Sequence, residues 1–99
     1  MCAEPYHEPL ESIPEEARDH HRAVVSMIEE LQAIDWYNQR ITATGDSELQ
    51  GILEHNRDEE KEHASMLLEW LRRRDPAFTD ELKDYLFTEG DILELEKEG

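Results

Sequence analysis

Two long helix-forming runs separated by a short break constrain this chain more than any other feature of its sequence. From Glu15 to about Ile41 there is neither Gly nor Pro. Ser12, Ile13, Pro14 and Glu15 read as the helix start: Ser12 can cap, Pro14 suits a first turn and Glu15 completes a capping box. Thr42-Ala43-Thr44-Gly45-Asp46-Ser47 stops this run, and Asp46 or Ser47 caps a second one reaching about Arg74. Each helix would hold about 28–30 residues and measure roughly 42–45 Å at the helical rise. Matched lengths and a short connection predict an antiparallel hairpin. Two helices cannot enclose a core, so the hairpin must pack on something, and a second copy is the simplest candidate.

The rest of the chain adds little material. Residues 1–9, with Pro5 and Pro9 among polar residues, read as a flexible arm, and 10–99 as one helical domain. Asp75-Pro76 breaks the second helix and starts a shorter third, and Thr88-Glu89-Gly90 precedes a short acidic segment. The helices are expected at about 13–41, 47–74, 76–87 and 91–98. The fold class is all-α, a long antiparallel two-helix hairpin plus a short C-terminal helix, with a four-helix bundle completed by dimerisation.

Composition limits the partners. The hydrophobic fraction of 37% is low for a self-sufficient core in a chain of 99 residues. Asp and Glu outnumber Lys and Arg by 26 to 10, a net charge of −16, which argues against nucleic acid or anionic lipid and makes cations the natural counterparts. Most of these carboxylates read as a solvated surface. Cys2 is the only cysteine, so neither an intrachain disulfide nor a zinc-finger spacing exists, as suits a reducing compartment. Met1–Pro9 has neither the basic region nor the apolar run of a secretory signal. No stretch reaches the ~18–20 apolar residues of a membrane helix, so a soluble protein is expected.

Helical rows locate the chemistry. In the first helix Ala23, Met27, Glu30, Ile34, Tyr37 and Ile41 share a face, and Glu30 interrupts an otherwise apolar stripe. In the second, Leu49, Leu53, Asn56, Glu60, His63, Leu67 and Trp70 form a row with Glu60 and His63 three apart in its middle. Ionised carboxylates on a buried face are costly unless paired or metal-bound. The spacing alone is weak, since chance supplies about one Glu-x-x-His pair in such a sequence. A second pair does occur, Glu4 to His7, among prolines. Glu60–His63 stands apart because its row is apolar and Glu30 lies opposite; a hydrogen-bonded core feature is the alternative. Carboxylate and imidazole suit iron, manganese or zinc. A two-fold axis would bring two Glu30, two Glu60 and two His63 into one bundle, the inventory of di-iron carboxylate bundles.

Several longer runs carry a resemblance. Glu29-Glu30-Leu31-Gln32-Ala33-Ile34-Asp35-Trp36-Tyr37, His55-Asn56-Arg57-Asp58-Glu59-Glu60-Lys61-Glu62-His63-Ala64, Leu68-Glu69-Trp70-Leu71-Arg72-Arg73 and Tyr85-Leu86-Phe87-Thr88-Glu89-Gly90 resemble encapsulated ferritin, in order and over His7 to about Leu95. The resemblance implies a ferritin-like two-helix subunit that dimerises to form a ferroxidase centre. It also implies a ring-shaped decamer, a pentamer of dimers, held inside an encapsulin nanocompartment in the bacterial cytoplasm. There iron is oxidised by O2 at the subunit interface and mineral accumulates in the encapsulin shell. The ligands fall on Glu30, Glu60 and His63, with Glu60 expected to bridge a di-iron pair, and calcium, zinc or manganese as substitutes. The neighbouring aromatic pair falls on Trp36 and Tyr37, of which Tyr37 shares the row of Glu30 and joins the catalytic set.

Two departures follow. The family's outer acidic site has two Glu three apart; Glu29 is present, but Gln32 fills the second position without a charge, so a weaker outer site is expected. The family's C-terminal targeting peptide does not appear before Gly99, so either the sequence is truncated or its targeting differs. His55, Glu59 and Glu62 on the polar face of the second helix correspond to an accessory metal position, although such a trio is commonly plain surface. His7, His20 and His21 read as surface or interface residues, and Trp70, Met27 and Met66 as packing. A metal-free helical adaptor and a di-metal oxidase acting on an organic substrate or peroxide are the rival readings; the second needs a pocket that a hairpin has little material to build.

Overall fold

The computed structural model describes residues 6–98. A short 3-10 turn, Leu10–Ser12, precedes four α-helices: α1 Glu15–Ala43, α2 Ser47–Arg73, α3 Pro76–Tyr85 and α4 Ile92–Glu98. Among the described residues there is no strand, and α1 and α2 pack against each other as an antiparallel hairpin. Residues 1–5 of the expected arm, with Glu4 of the first Glu-x-x-His pair, lie outside the described residues. Tyr6 is described, and its ring lies 4.3 Å from that of His21 on α1.

The start of α1 differs from the expected capping box. Ser12 ends the 3-10 turn, and the N-cap is Pro14, in extended conformation and without a side-chain cap. Ser12 sits two residues ahead of that cap, out of register with the free N–H groups of the first turn. Arg18 does the joining instead: its guanidinium donates to the carbonyls of Ile13, at 2.8 Å, and Leu10. Glu15, free of capping, pairs with Arg22 at 2.7 Å.

The hairpin bend is closed by Asp46, whose Oδ1 accepts from the N–H groups of Glu48 and Leu49 at 2.9 and 3.1 Å and so caps α2. Gln50 Nε2 donates to the Ile41 carbonyl at 2.9 Å, and Arg57 Nη1 donates to Asn38 Oδ1 at 3.1 Å across the two helices. These bonds fix the register in which the middle of α1 meets the middle of α2. At the far end Arg72 and Arg73 sit in the last turn of α2, where cations oppose the helix dipole. Asp75 then caps α3 through Phe78 N–H, with Pro76 at the first helical position. α3 stops at Tyr85 rather than 87 because Leu86 is extended and Phe87 adopts φ 61°, a left-handed conformation that costs a non-glycine residue roughly 1–2 kcal/mol.

The core is thin. Among the described residues only Ala23, Ile41, Ala64 and Leu71 are buried, and no large side chain is fully enclosed. The molecule is an open slab with extents of 49 × 41 × 19 Å. A single layer of two helices leaves its outer apolar residues uncovered, Leu31, Trp36, Ile52 and Met66 among them.

Candidate metal centre

The centre is built where the rows of α1 and α2 face each other at mid-hairpin. Glu30 comes from α1, and Glu60 and His63 come from α2, where a spacing of three puts both side chains on one face. One ligand atom from each of the three lies within 4.8 Å of the others. His63 Nδ1 is 3.5 Å from Glu30 Oε2 and 3.6 Å from Glu60 Oε1. These are ion-pair separations, longer than hydrogen bonds.

Electrostatically the cluster is incomplete. Glu30 Oε2 is buried and accepts no hydrogen bond among the described residues. A carboxyl–carboxyl hydrogen bond with Glu60 favours the protonated form of Glu30. Burial and the Glu60 charge push its pKa the same way, above 4.5, while His63 only partly opposes them. Two carboxylates repelling each other beside an imidazole, with a buried oxygen unmatched, form a donor set lacking its acceptor. A divalent cation of borderline hardness fits it: two hard oxygens and one imidazole nitrogen converge, and no cysteine is among the described residues.

The remaining expected residues are placed differently. Tyr37 lies on the Glu30 row but about two turns along, roughly 10 Å by helical rise, and has Arg40 over its ring at 5.6 Å. Trp36 is exposed. Glu29 is exposed and does not join the cluster, and Gln32 is half-buried three residues on. His55 Nε2 and Glu59 Oε1 are 4.0 Å apart on exposed surface, and within one chain Glu62 does not complete a ligand group with them. The tie between Arg57 and Asn38 was not foreseen, because neither residue lies on an apolar row. No helix among the described residues is long and apolar enough to cross a membrane.

Hairpin and cluster together define the class: a ferritin-like helical pair with a carboxylate–imidazole group that could hold a metal ion. Residues 5–89 match the EncFtn-like family, and the chain belongs to that family. It is 60% identical over 90 residues to an encapsulated ferritin-like protein of Rhodospirillum rubrum, covering 91% of this chain and 64% of that protein. A ferritin-like protein of Thermotoga maritima is 51% identical over 96 residues, 97% of this chain and 84% of its own length. The crystal structure of a Nitrosomonas europaea protein superposes with a TM-score of 0.86 at 62% identity, over 90% of this chain and 98% of that one.

Proposed function

We propose that this protein is a ferroxidase that binds Fe²⁺ as substrate and passes its electrons to O2 at a di-iron centre shared by two copies of the chain. The observation that carries the reading is the buried Glu30 Oε2, which accepts no hydrogen bond among the described residues and is held against Glu60 and His63. One chain offers two carboxylates and one imidazole; two chains offer four and two, which balance two divalent cations in formal charge. Ligation by carboxylates favours Fe³⁺ over Fe²⁺ and so favours electron loss. Glu60 would hold iron together with Glu30 and His63, and Tyr37, about two turns along α1, would be the nearby aromatic of the Glu30 row. Zinc, manganese or calcium would occupy the centre as substitutes.

The membership in the EncFtn-like family and the name of the Rhodospirillum rubrum relative support the wider setting. In this reading the chain forms a ring-shaped decamer, is housed by an encapsulin shell in the bacterial cytoplasm, and feeds iron mineral that grows in that shell. The test combines metal analysis, native mass measurement and stopped-flow oxidation of anaerobically added Fe²⁺. Two bound irons per dimer and O2 consumption that disappears in His63→Ala are expected. Iron-free protein that oxidises Fe²⁺ no faster than buffer would refute the reading.

A further inference from the structure

A centre built from carboxylates is lost if the protein's own cations reach them before a metal does. Arg57 is the basic residue placed to do this. It lies on α2 one turn before Glu60, and side chains three apart on a helix are neighbours. Helical side chains lean toward the N-terminus, so Glu60 leans over the turn that Arg57 occupies. Across the hairpin, Gln50 meets Ile41 and His63 meets Glu30. In that register Arg57 comes level with about Ile34, roughly one turn from Glu30. Its side chain is 23% exposed, so water screens its charge only in part.

The guanidinium nevertheless turns the other way. Nη1 donates to Asn38 Oδ1 on α1 at 3.1 Å, and Nε donates to Asp58 Oδ1 at 3.2 Å. Among the described residues no ion pair joins Arg57 to Glu60 or Glu30, whose only such neighbour is His63. Asn38 lies eight residues beyond Glu30, about 12 Å toward the bend by helical rise. The same Asp58 oxygen holds Lys61, the other cation next to Glu60, at 3.5 Å. In a chain with 26 acidic residues, the side chain that takes Arg57 across the hairpin is a neutral one.

We infer that Asn38 is a positioning residue for the metal centre: it holds the Arg57 guanidinium toward the bend and so keeps Glu60 free for a metal ion. A neutral acceptor is enough for this. A cation that precedes its carboxylate along a helix makes the weaker of the two pairings, so Asn38 and Asp58 together outcompete Glu60. The purpose of this hold rests on the ferroxidase reading, whereas the hold itself is visible without metal.

Calorimetric titration of Zn²⁺, a redox-inert probe, into the full chain tests the purpose. Asn38→Leu alters an exposed position, so helical content should be unchanged. Zn²⁺ binding should nonetheless weaken roughly tenfold, the low end of what outer-shell partners cost. The loss should shrink at high salt, which screens a new Arg57–Glu60 pair. Asn38→Asp keeps an acceptor and should bind as the wild type does. Adding Arg57→Gln to Asn38→Leu should restore the affinity, although a tie that only pinned the two helices together would gain nothing from it. Crystals of Asn38→Leu grown in chelator read the hold directly: the Arg57 guanidinium should stand within about 4 Å of the Glu60 carboxylate. A guanidinium that stays clear of Glu60 there, or a double variant that binds no better than Asn38→Leu, overturns the inference. A wild type that takes up no Zn²⁺, while Arg57 does move onto Glu60 in the variant, upholds the hold and counts against the metal reading alone.

Discussion

Two glutamates on the same hairpin, Glu69 and Glu30, show how differently this acidic chain uses its carboxylates. Glu69 faces solvent and receives Arg72 through two bonds and Arg73 through one, all at 2.7 Å. Those guanidinium hydrogen bonds hold its pKa down at about 2. Glu30, half-buried at mid-hairpin, pairs with no lysine or arginine among the described residues and has only the His63 imidazole beside it, and Glu60 drives its pKa upward. Glu69 is complete within one chain. Glu30 is not, and its buried oxygen states what is lacking: a positive charge that the protein does not supply.

The sharpest way to break this comparison is to remove each carboxylate in turn. Glu30→Ala, Glu60→Ala and His63→Ala are each expected to lower the rate of Fe²⁺ oxidation by more than about 100-fold, exceeding the ~10–100-fold that outer-shell partners cost. Glu69→Ala should leave it unchanged, since its arginines are the wrong partners for a metal. Metal-free assembly should separate the ligands further. Glu30→Ala and Glu60→Ala remove a repelling charge and should pair across the Glu30–Glu60–His63 cluster without metal, gaining stability of the order of 1 kcal/mol. His63→Ala removes a neutral ligand and should gain nothing. Stopped-flow oxidation and sedimentation on the same samples read both effects; a Glu60→Ala protein with wild-type turnover would remove the centre from this site.

A second, smaller contrast lies in pH. The folded-state pKa of Glu30 is raised above 4.5, so the stability tied to it is fully present below that value and is lost as pH rises through the folded pKa. Glu69 is depressed from 4.5 to about 2, so its stability is present above 4.5 and is lost as pH falls toward 2. Thermal melts in chelator should therefore show Glu30→Gln more stable than wild type at neutral pH, with the difference closing below 4.5. Glu69→Gln should be less stable at neutral pH and converge with wild type only near pH 2. With Zn²⁺ present the Glu30 signature should invert, because the ion binds the anionic form and competes with the proton; at 100 times Kd it stabilises the folded state by roughly 2.7 kcal/mol. Curves of the same sign for both variants would mean that the two carboxylates share one environment.

The hairpin and the cluster were legible in the sequence because both follow from helical periodicity. Polar residues set into apolar rows mark Glu30, Glu60 and His63, and Gly45 with Asp46 marks the bend. Periodicity does not reach the features it failed to give. The start of α1 depends on a 3-10 turn that takes Ser12 out of capping register, and an arginine, not a cap, secures it. The end of α3 depends on one left-handed residue, Phe87, a type that gives no warning of positive φ as glycine or asparagine would. The exposed trio His55, Glu59 and Glu62 shares a helix face, yet a shared face is not convergence: His55 and Glu59 come to 4.0 Å, but the three form no ligand group.

The finest contrast is between Glu30 and the outer position beside it. Glu29 and Gln32 lie three apart on α1, and on the family pattern they would line the approach of hydrated cations to the centre. Gln32 offers an oxygen but no charge, so the field there is weaker by one unit per chain and by two per dimer. Carboxylates attract cations over roughly a Debye length, about 8 Å at physiological salt. Gln32→Glu should therefore raise occupancy of the outer position, seen by anomalous scattering from iron-soaked crystals, and make oxidation more sensitive to ionic strength. It should not alter the centre itself, because Glu30, Glu60 and His63 keep their separations. The effect on turnover is modest, within a few-fold, since a stronger outer field speeds arrival while a tighter outer site slows onward delivery, and the two oppose each other. Stopped-flow oxidation by both proteins at low and high salt gives the comparison. If Gln32→Glu leaves both outer occupancy and salt dependence as they were, the outer position is plain helix surface, and cations reach Glu30 without its help.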